Sequence, residues 1–217
     1  MLARLFRFAA AIAEAGPSAV LLTLRAKRRG AKQKLREFGS LVRMVRHRRP
    51  GVVVEIGTMH GGTLWAWCQL ASSDALLVSI DLPGGAFGGG YSDAEAERLA
   101  GHRRSGQTLE LIRADSHEPA TVAHLRELLG SRTIDLLFID ADHSYEGVAR
   151  DYEMYAPLVR PGGLIAFHDV LPCRPEDGEV SRFWHEVRDR YRHCEFTDPH
   201  DHSWRGQWGG IGVLFTE

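Results

Sequence analysis

Short runs rich in β-branched and apolar residues recur along the chain, and longer stretches with helical spacing separate them. The runs are Val52–Ile56, Leu76–Ile80, Leu109–Arg113, Ile134–Ile139, Gly163–Phe167, Cys194–Thr197 and Ile211–Phe215. Between them lie Gly62–Ala71, Ser92–Ser105, Pro119–Leu129, Tyr145–Tyr155 and Val180–Tyr191, each with apolar residues at helical intervals. A strand followed by a helix and another strand requires a crossover, which makes the neighbouring strands parallel. The expected architecture is therefore α/β and Rossmann-like, a mostly parallel sheet with helices on both faces. The 217 residues suit one such layered domain with a full core.

Pro50-Gly51 separates the first strand from a segment of different character. Residues 1–50 hold 13 of the 27 Lys and Arg but two of the 28 Asp and Glu, a charge of +11, so the rest of the chain carries −12 and the total of −1 is a cancellation. Two units follow: a basic helical N-terminal extension, 1–50, and a domain of catalytic size, 51–217. Leu35, Phe38, Leu41, Val42 and Val45 keep helical spacing with arginines on the other side, which predicts packing on the domain through an amphipathic face. Clustered arginine is compatible with nucleic acid or anionic lipid, but a solvated helix face explains it more simply, and no nucleic-acid partner is expected.

The longest apolar runs, Phe8–Ala13 and Ala19–Leu24, are far shorter than the roughly 18–20 residues that span a bilayer. Arg4, Arg7 and Ala13-Glu14-Ala15 imitate a secretory signal, against which the acid and the short apolar core argue. Cys68, Cys173 and Cys194 share no metal-binding or disulfide spacing. The expectation is a cytoplasmic protein without a membrane span, with homo-oligomerisation through the N-terminal helices as one use of the extension.

Chemistry concentrates where the first strand meets its helix, at Glu55-Ile56-Gly57-Thr58-Met59-His60-Gly61-Gly62-Thr63. Gly57 permits a sharp bend, Gly61 and Gly62 let a ligand approach the backbone, and the helix start offers N–H groups to an anion. Thr58 and Thr63 add hydroxyls. Asp81 ends the second strand, where a carboxylate accepts hydrogen bonds from ribose. A dinucleotide turn reads G-x-G-x-x-G, whereas this one reads E-x-G-x-x-x-G-G from Glu55. A carboxylate at that point repels a pyrophosphate but attracts the amino group of an amino-acid-like ligand, which favours S-adenosylmethionine over NAD. Asp115 and Ser116 follow the third strand and offer contacts to adenine; taken alone they read as a helix cap before Pro119. The glycine-rich stretch Pro83–Gly90 reads equally as a connector or as a lid on the crevice.

The fourth strand ends in Asp140-Ala141-Asp142-His143 and the fifth in His168-Asp169. Two carboxylates delivered to one sheet edge repel each other unless a cation or a proton intervenes, so Asp140 and Asp169 are candidate ligands of a divalent metal. His168 suits a softer metal or a supporting role. His143 starts the segment after the fourth strand, and its ordinary pKa of about 6.5 fits it to take a proton from a hydroxyl. Asp198, His200, Asp201 and His202 form a second polar cluster, explained by loop composition.

The segments Glu55-Ile56-Gly57-Thr58, Phe138–Gly147, Leu158-Val159-Arg160-Pro161-Gly162-Gly163, His168-Asp169 and Trp208–Leu214 resemble the class I S-adenosylmethionine-dependent methyltransferases. The similarity is to the branch that holds cephalosporin-biosynthesis and macrolide-sugar O-methyltransferases (methyltransferase family 24-like); catechol and caffeoyl-CoA enzymes are more distant. The resemblance implies a seven-stranded sheet whose last strand is antiparallel, and Glu55, Gly57 and Asp81 holding the cofactor's amino acid and ribose. Glu55, Gly57, Thr58, Gly61, Gly62, Thr63, Asp81, Asp115, Ser116 and Asp140 are the expected cofactor contacts. In the catechol-type relatives an Asp after strand four and an acid–amide pair after strand five bind Mg²⁺. These positions fall on Asp140, His168 and Asp169 here, with His168 standing where the relatives carry a carboxylate and His143 where they use a lysine base.

The expected activity is methyl transfer from S-adenosylmethionine to a hydroxyl of a small molecule, a sugar, phenol or other secondary-metabolite acceptor, assisted by a divalent metal, Mg²⁺ by preference, and by His143 as base. Metal-independent methylation of an amine or carboxylate is the nearest alternative. An NAD-dependent oxidoreductase and a non-catalytic nucleic-acid- or membrane-binding protein stand further off.

Overall fold

The computed structural model describes residues 2–84, 90–171, 179–200, 202–203 and 206–217, with the backbone alone for 2–4, 202–203 and 206–207. Seven strands form one sheet: β1 (Val52–Ile56), β2 (Leu76–Asp81), β3 (Thr108–Arg113), β4 (Ile134–Ile139), β5 (Val159–Leu171), β6 (Arg192–Phe196) and β7 (Gly209–Phe215). Their order is β3-β2-β1-β4-β5-β7-β6. β1 to β5 pair in parallel, and β7 runs antiparallel between β5 and β6. This is the architecture expected from the sequence, including the reversed last strand. A two-residue hairpin, 202–203 with 206–207, stands apart from it.

The strand period of two sends alternate residues to opposite faces. Val53, Leu77, Leu136 and Phe138 enter one core, and Val52, Val54, Ile56, Val78 and Ile80 the other. The second core is closed by α6 (Pro119–Leu129), α7 (Tyr145–Tyr155) and α8 (Glu179–Val187). The first is closed by α4 (Gly62–Leu70) and α5 (Asp93–Ala100) together with α1 (Leu2–Ala15), α2 (Pro17–Lys27) and α3 (Leu35–Arg48). α5 is shorter than its periodicity predicts. Ser92 and Glu95 cap its start reciprocally, and it ends at Gly101, where a glycine forfeits helix propensity.

The basic extension is thus one wall of the core. Phe38, Leu41, Val42 and Val45 of α3 are buried as their spacing predicts, each contributing about 1.5–3 kcal/mol by transfer from water. Phe38 meets Trp67 edge-on at 5.3 Å, and Trp67 meets Phe138 at 5.4 Å, a chain of rings from α3 through α4 to β4. Both acids of the extension are engaged, Glu14 within it and the buried Glu37 with the domain. Glu14 pairs with Arg36 and accepts from Ser40, while Glu37 accepts the backbone N–H groups of Asp198 and Gly210 at 3.0 Å each. Among the described residues no helix is long and apolar enough to cross a membrane.

Candidate active site

Strand order reverses beside β1: the helix after β1 packs on one face and the helix after β4 on the other. Their divergence opens a crevice at the carboxyl ends of the strands. A cavity of about 400 Å³ occupies it.

At one end of the cavity the backbone supplies most of the structure. Gly57 has φ +85°, and a Cβ there would lie 2.0 Å from the Asp140 carbonyl oxygen, so only glycine lets β1 turn against β4. Asp81 Oδ2 accepts the N–H groups of Thr58 (2.9 Å) and Met59 (2.6 Å), which clamps the turn to the end of β2. Beneath it lies Glu55, fully buried. It accepts Thr58 Oγ1 and Trp67 Nε1, each at 2.9 Å. Burial pushes its carboxyl up to about 7, against the hydrogen bonds of Thr63, Thr58 and Trp67. Asp115 Oδ1 accepts from the His117 N–H, and the Ser116 carbonyl accepts from Tyr155 Oη.

The other end is made of side chains. Asp140 Oδ1 and Asp169 Oδ2 each lie 3.2 Å from His168 Nδ1 and 3.6 Å from His143 Nε2. Ligand atoms of Asp140, His143 and Asp169 fall within 4.8 Å of one another, as a metal site requires. Asp169 is aimed by its backbone. It has φ +59°, and the pairing of β5 with β7 breaks between His168 and Leu171; a left-handed non-glycine residue at a bulge is a costly device that re-aims a side chain. Charge is balanced locally. Burial opposes ionisation of Asp140 and of His168, but their mutual attraction prevails, holding the carboxyl below its ordinary range and the buried imidazole well above 6.5.

Of the residues singled out in the sequence, Gly57, Thr58, Gly62, Thr63, Asp81, Asp115, Ser116, Asp140, His143, His168 and Asp169 line this one cavity. Glu55 lies under its floor, and Gly61 packs against Leu99. The glycine-rich stretch at 85–89, the segment at 172–178 with Cys173, and the side chains of Asp201 and His202 lie outside the described residues. Sequence reasoning did not find the remaining wall. Gly30, Ala31, Lys32 and Gln33, between α2 and α3, border the cavity together with Trp208. Gln33 Nε2 donates to Asp140 Oδ2 at 2.6 Å across a separation of 107 residues. Trp208 belongs to a segment already noted for its resemblance, while nothing in the local pattern around Gln33 marks it.

A family model described as a methyltransferase domain matches residues 54–170. The chain belongs to this family. It carries a methyltransferase domain. The O-methyltransferase from Bacillus cereus, solved in complex with SAH, is 18% identical, with 92% of this chain and 91% of that one covered and a TM-score of 0.60. CalS11, described as a TDP-rhamnose 3'-O-methyltransferase of calicheamicin biosynthesis, is 15% identical, with 92% and 94% covered and a TM-score of 0.56. At these identities the solved structures show that the methyltransferase shares their fold. The uncharacterized protein y4gI of Sinorhizobium fredii is 25% identical over 171 residues, which are 77% of this chain and 17% of that protein. The methyltransferase thus corresponds to a minor part of that relative's length.

Proposed function

We propose that this methyltransferase transfers the methyl group of S-adenosylmethionine to a hydroxyl of a small molecule, in the class of sugars, phenols and other secondary-metabolite acceptors. The observation that carries the reading is the meeting of Asp140, His143, His168 and Asp169 in the cavity that the cofactor turn also lines. A sulfonium methyl is already electrophilic, so the protein has to align an oxygen with it and dispose of the proton. The sugar O-methyltransferase CalS11, with the same fold, supports the acceptor class.

On this reading the turn Gly57–Thr63, with Glu55 beneath it, receives the amino-acid part of the cofactor, Asp81 the ribose, Asp115 and Ser116 the adenine, and Asp140 flanks the methionine. Of the two imidazoles, His143 is the more exposed, its side chain 42% accessible against 6% for His168. His143 therefore faces the acceptor and takes its proton, and the neighbouring carboxylates stabilise the imidazolium that forms. His168 stays buried between Asp140 and Asp169. The carboxylate oxygens of Asp140 and Asp169 and the imidazole nitrogen of His143 lie close enough together to fit a divalent ion; Asp140 and Asp169 would hold it, with His143 rather than the buried His168 as the imidazole within reach. Bound there, the ion would polarise the acceptor hydroxyl, and nitrogen in the donor set widens the choice from Mg²⁺ to softer divalent metals.

The test is incubation with S-adenosylmethionine and panels of nucleotide sugars, phenols, amines and carboxylic acids, read by product mass spectrometry. Methylated hydroxyls are expected; products confined to amines or acids would overturn O-transfer. Chelation by EDTA is expected to stop turnover and Mg²⁺ or Mn²⁺ to restore it. Undiminished turnover in EDTA would remove the metal and leave proton transfer to His143.

A further inference from the structure

We infer that Gln33, carried by the N-terminal extension, is a positioning residue of the reaction centre: its amide fixes the Asp140 carboxylate so that Oδ1 faces the two imidazoles. The inference rests on the reading of Asp140 given above. Gln33 is 4% exposed, borders the cavity, and donates through Nε2 to Asp140 Oδ2 at 2.6 Å. The amide orientation follows from chemistry, because a flipped amide would set its carbonyl oxygen against a carboxylate oxygen. With Oδ2 engaged, Oδ1 is the oxygen at 3.2 Å from His168 and 3.6 Å from His143.

The Oε1 atom of Gln33 is buried with no hydrogen-bond partner. A leucine of similar size would bury no such oxygen but could not donate to Asp140, so the amide is suited to that contact. The position itself is secured from two sides. Lys27 Nζ donates to the Gln33 carbonyl at 2.7 Å from the end of α2. Lys34 Nζ donates to the Trp208 carbonyl at 2.5 Å and lies 4.4 Å from the indole centroid. Close packing of the connector requires Gly62, where a Cβ would lie 2.1 Å from the Ala31 nitrogen. The extension therefore delivers one donor to a carboxylate whose orientation the site depends on.

The experiment compares the full-length wild type with Gln33→Leu, using Mn²⁺ alone as the probe, S-adenosylmethionine as a control ligand, and ¹⁵N-labelled histidine spectra recorded without metal. Supporting residues of this kind are worth about 10–100-fold in metal affinity. A loss of that size for Mn²⁺, with S-adenosylmethionine affinity kept within about twofold and displaced resonances for His143 and His168, is expected. Unchanged Mn²⁺ affinity with unchanged imidazole resonances would overturn the inference. A parallel loss of S-adenosylmethionine binding and thermal stability would also overturn it, by making Gln33 structural. If the wild type binds no Mn²⁺, the metal reading fails by itself and the imidazole resonances decide: displaced, Gln33 positions Asp140; superimposable, it does not.

Discussion

The two ends of the cavity are built by different means. The end at Gly57 and Asp81 is made within and between adjacent strands, from backbone N–H groups, a glycine bend and one carboxylate that clamps them. The end at Asp140 is made by side chains from β4, β5 and the connector before α3, and each depends on the position of the others. Backbone-built sites are rigid and tolerate neighbouring side-chain changes, whereas a cluster of mutually compensating charges fails when one member is removed. On the proposed reading, methyl-donor binding and reaction chemistry can thus be disabled separately.

The largest separation is expected from Asp140→Ala. Methyl transfer to a hydroxyl should fall about a thousandfold, or roughly 4 kcal/mol, while calorimetry still detects S-adenosylmethionine binding. Loss of both together would break the distinction. Gly57→Ala tests a point where the ends touch. Its Cβ would enter the Asp140 carbonyl at a φ of +85°, so a destabilisation of about 3 kcal/mol in denaturant melts, with cofactor binding lost, is expected. Asp81→Ala removes the clamp on Thr58 and Met59 and should weaken S-adenosylmethionine by about 10–100-fold without altering Mn²⁺ affinity.

The last test concerns Glu55. Its folded-state carboxyl is raised from 4.5 to about 7, chiefly by burial, so the folded protein keeps a proton that the unfolded chain has released. The stability this contributes is complete below about pH 4.5 and is lost as pH rises through about 7, at up to about 1.4 kcal/mol per pH unit. Urea midpoints measured across that range should fall with pH in the wild type, and Glu55→Gln should flatten this part of the slope. An unaltered slope in the variant would assign the dependence to other groups.

The strands were legible because their signal is local. Short β-branched and apolar runs bounded by turn residues marked all seven, and the motifs at and after their carboxyl ends marked eleven of the residues that line the cavity. The reversed β7 was expected only through family resemblance, since nothing within Gly209–Phe215 encodes direction. β5 outran its expected end at Phe167 because pairing with β7 continues to Leu171, and that pairing forms the bulge that turns Asp169. The function of the basic extension could not be read from its charge. Its arginines were compatible with a polyanion but read more simply as a solvated helix face, and neither reading showed that its buried face and its connector complete the core and the cavity.

The sequence by itself therefore determined the fold class, the glycine turn after β1 and the pair of aspartates, all of which are written in short apolar runs and residue types a few positions apart. Only the tertiary structure decided which imidazole is buried, how Asp169 is aimed, and that Gln33 reaches Asp140. Those relations join residues as much as 107 positions apart. They depend on how α3 settles its apolar face on Trp67 and the sheet, and packing of that kind leaves no periodic trace in the chain.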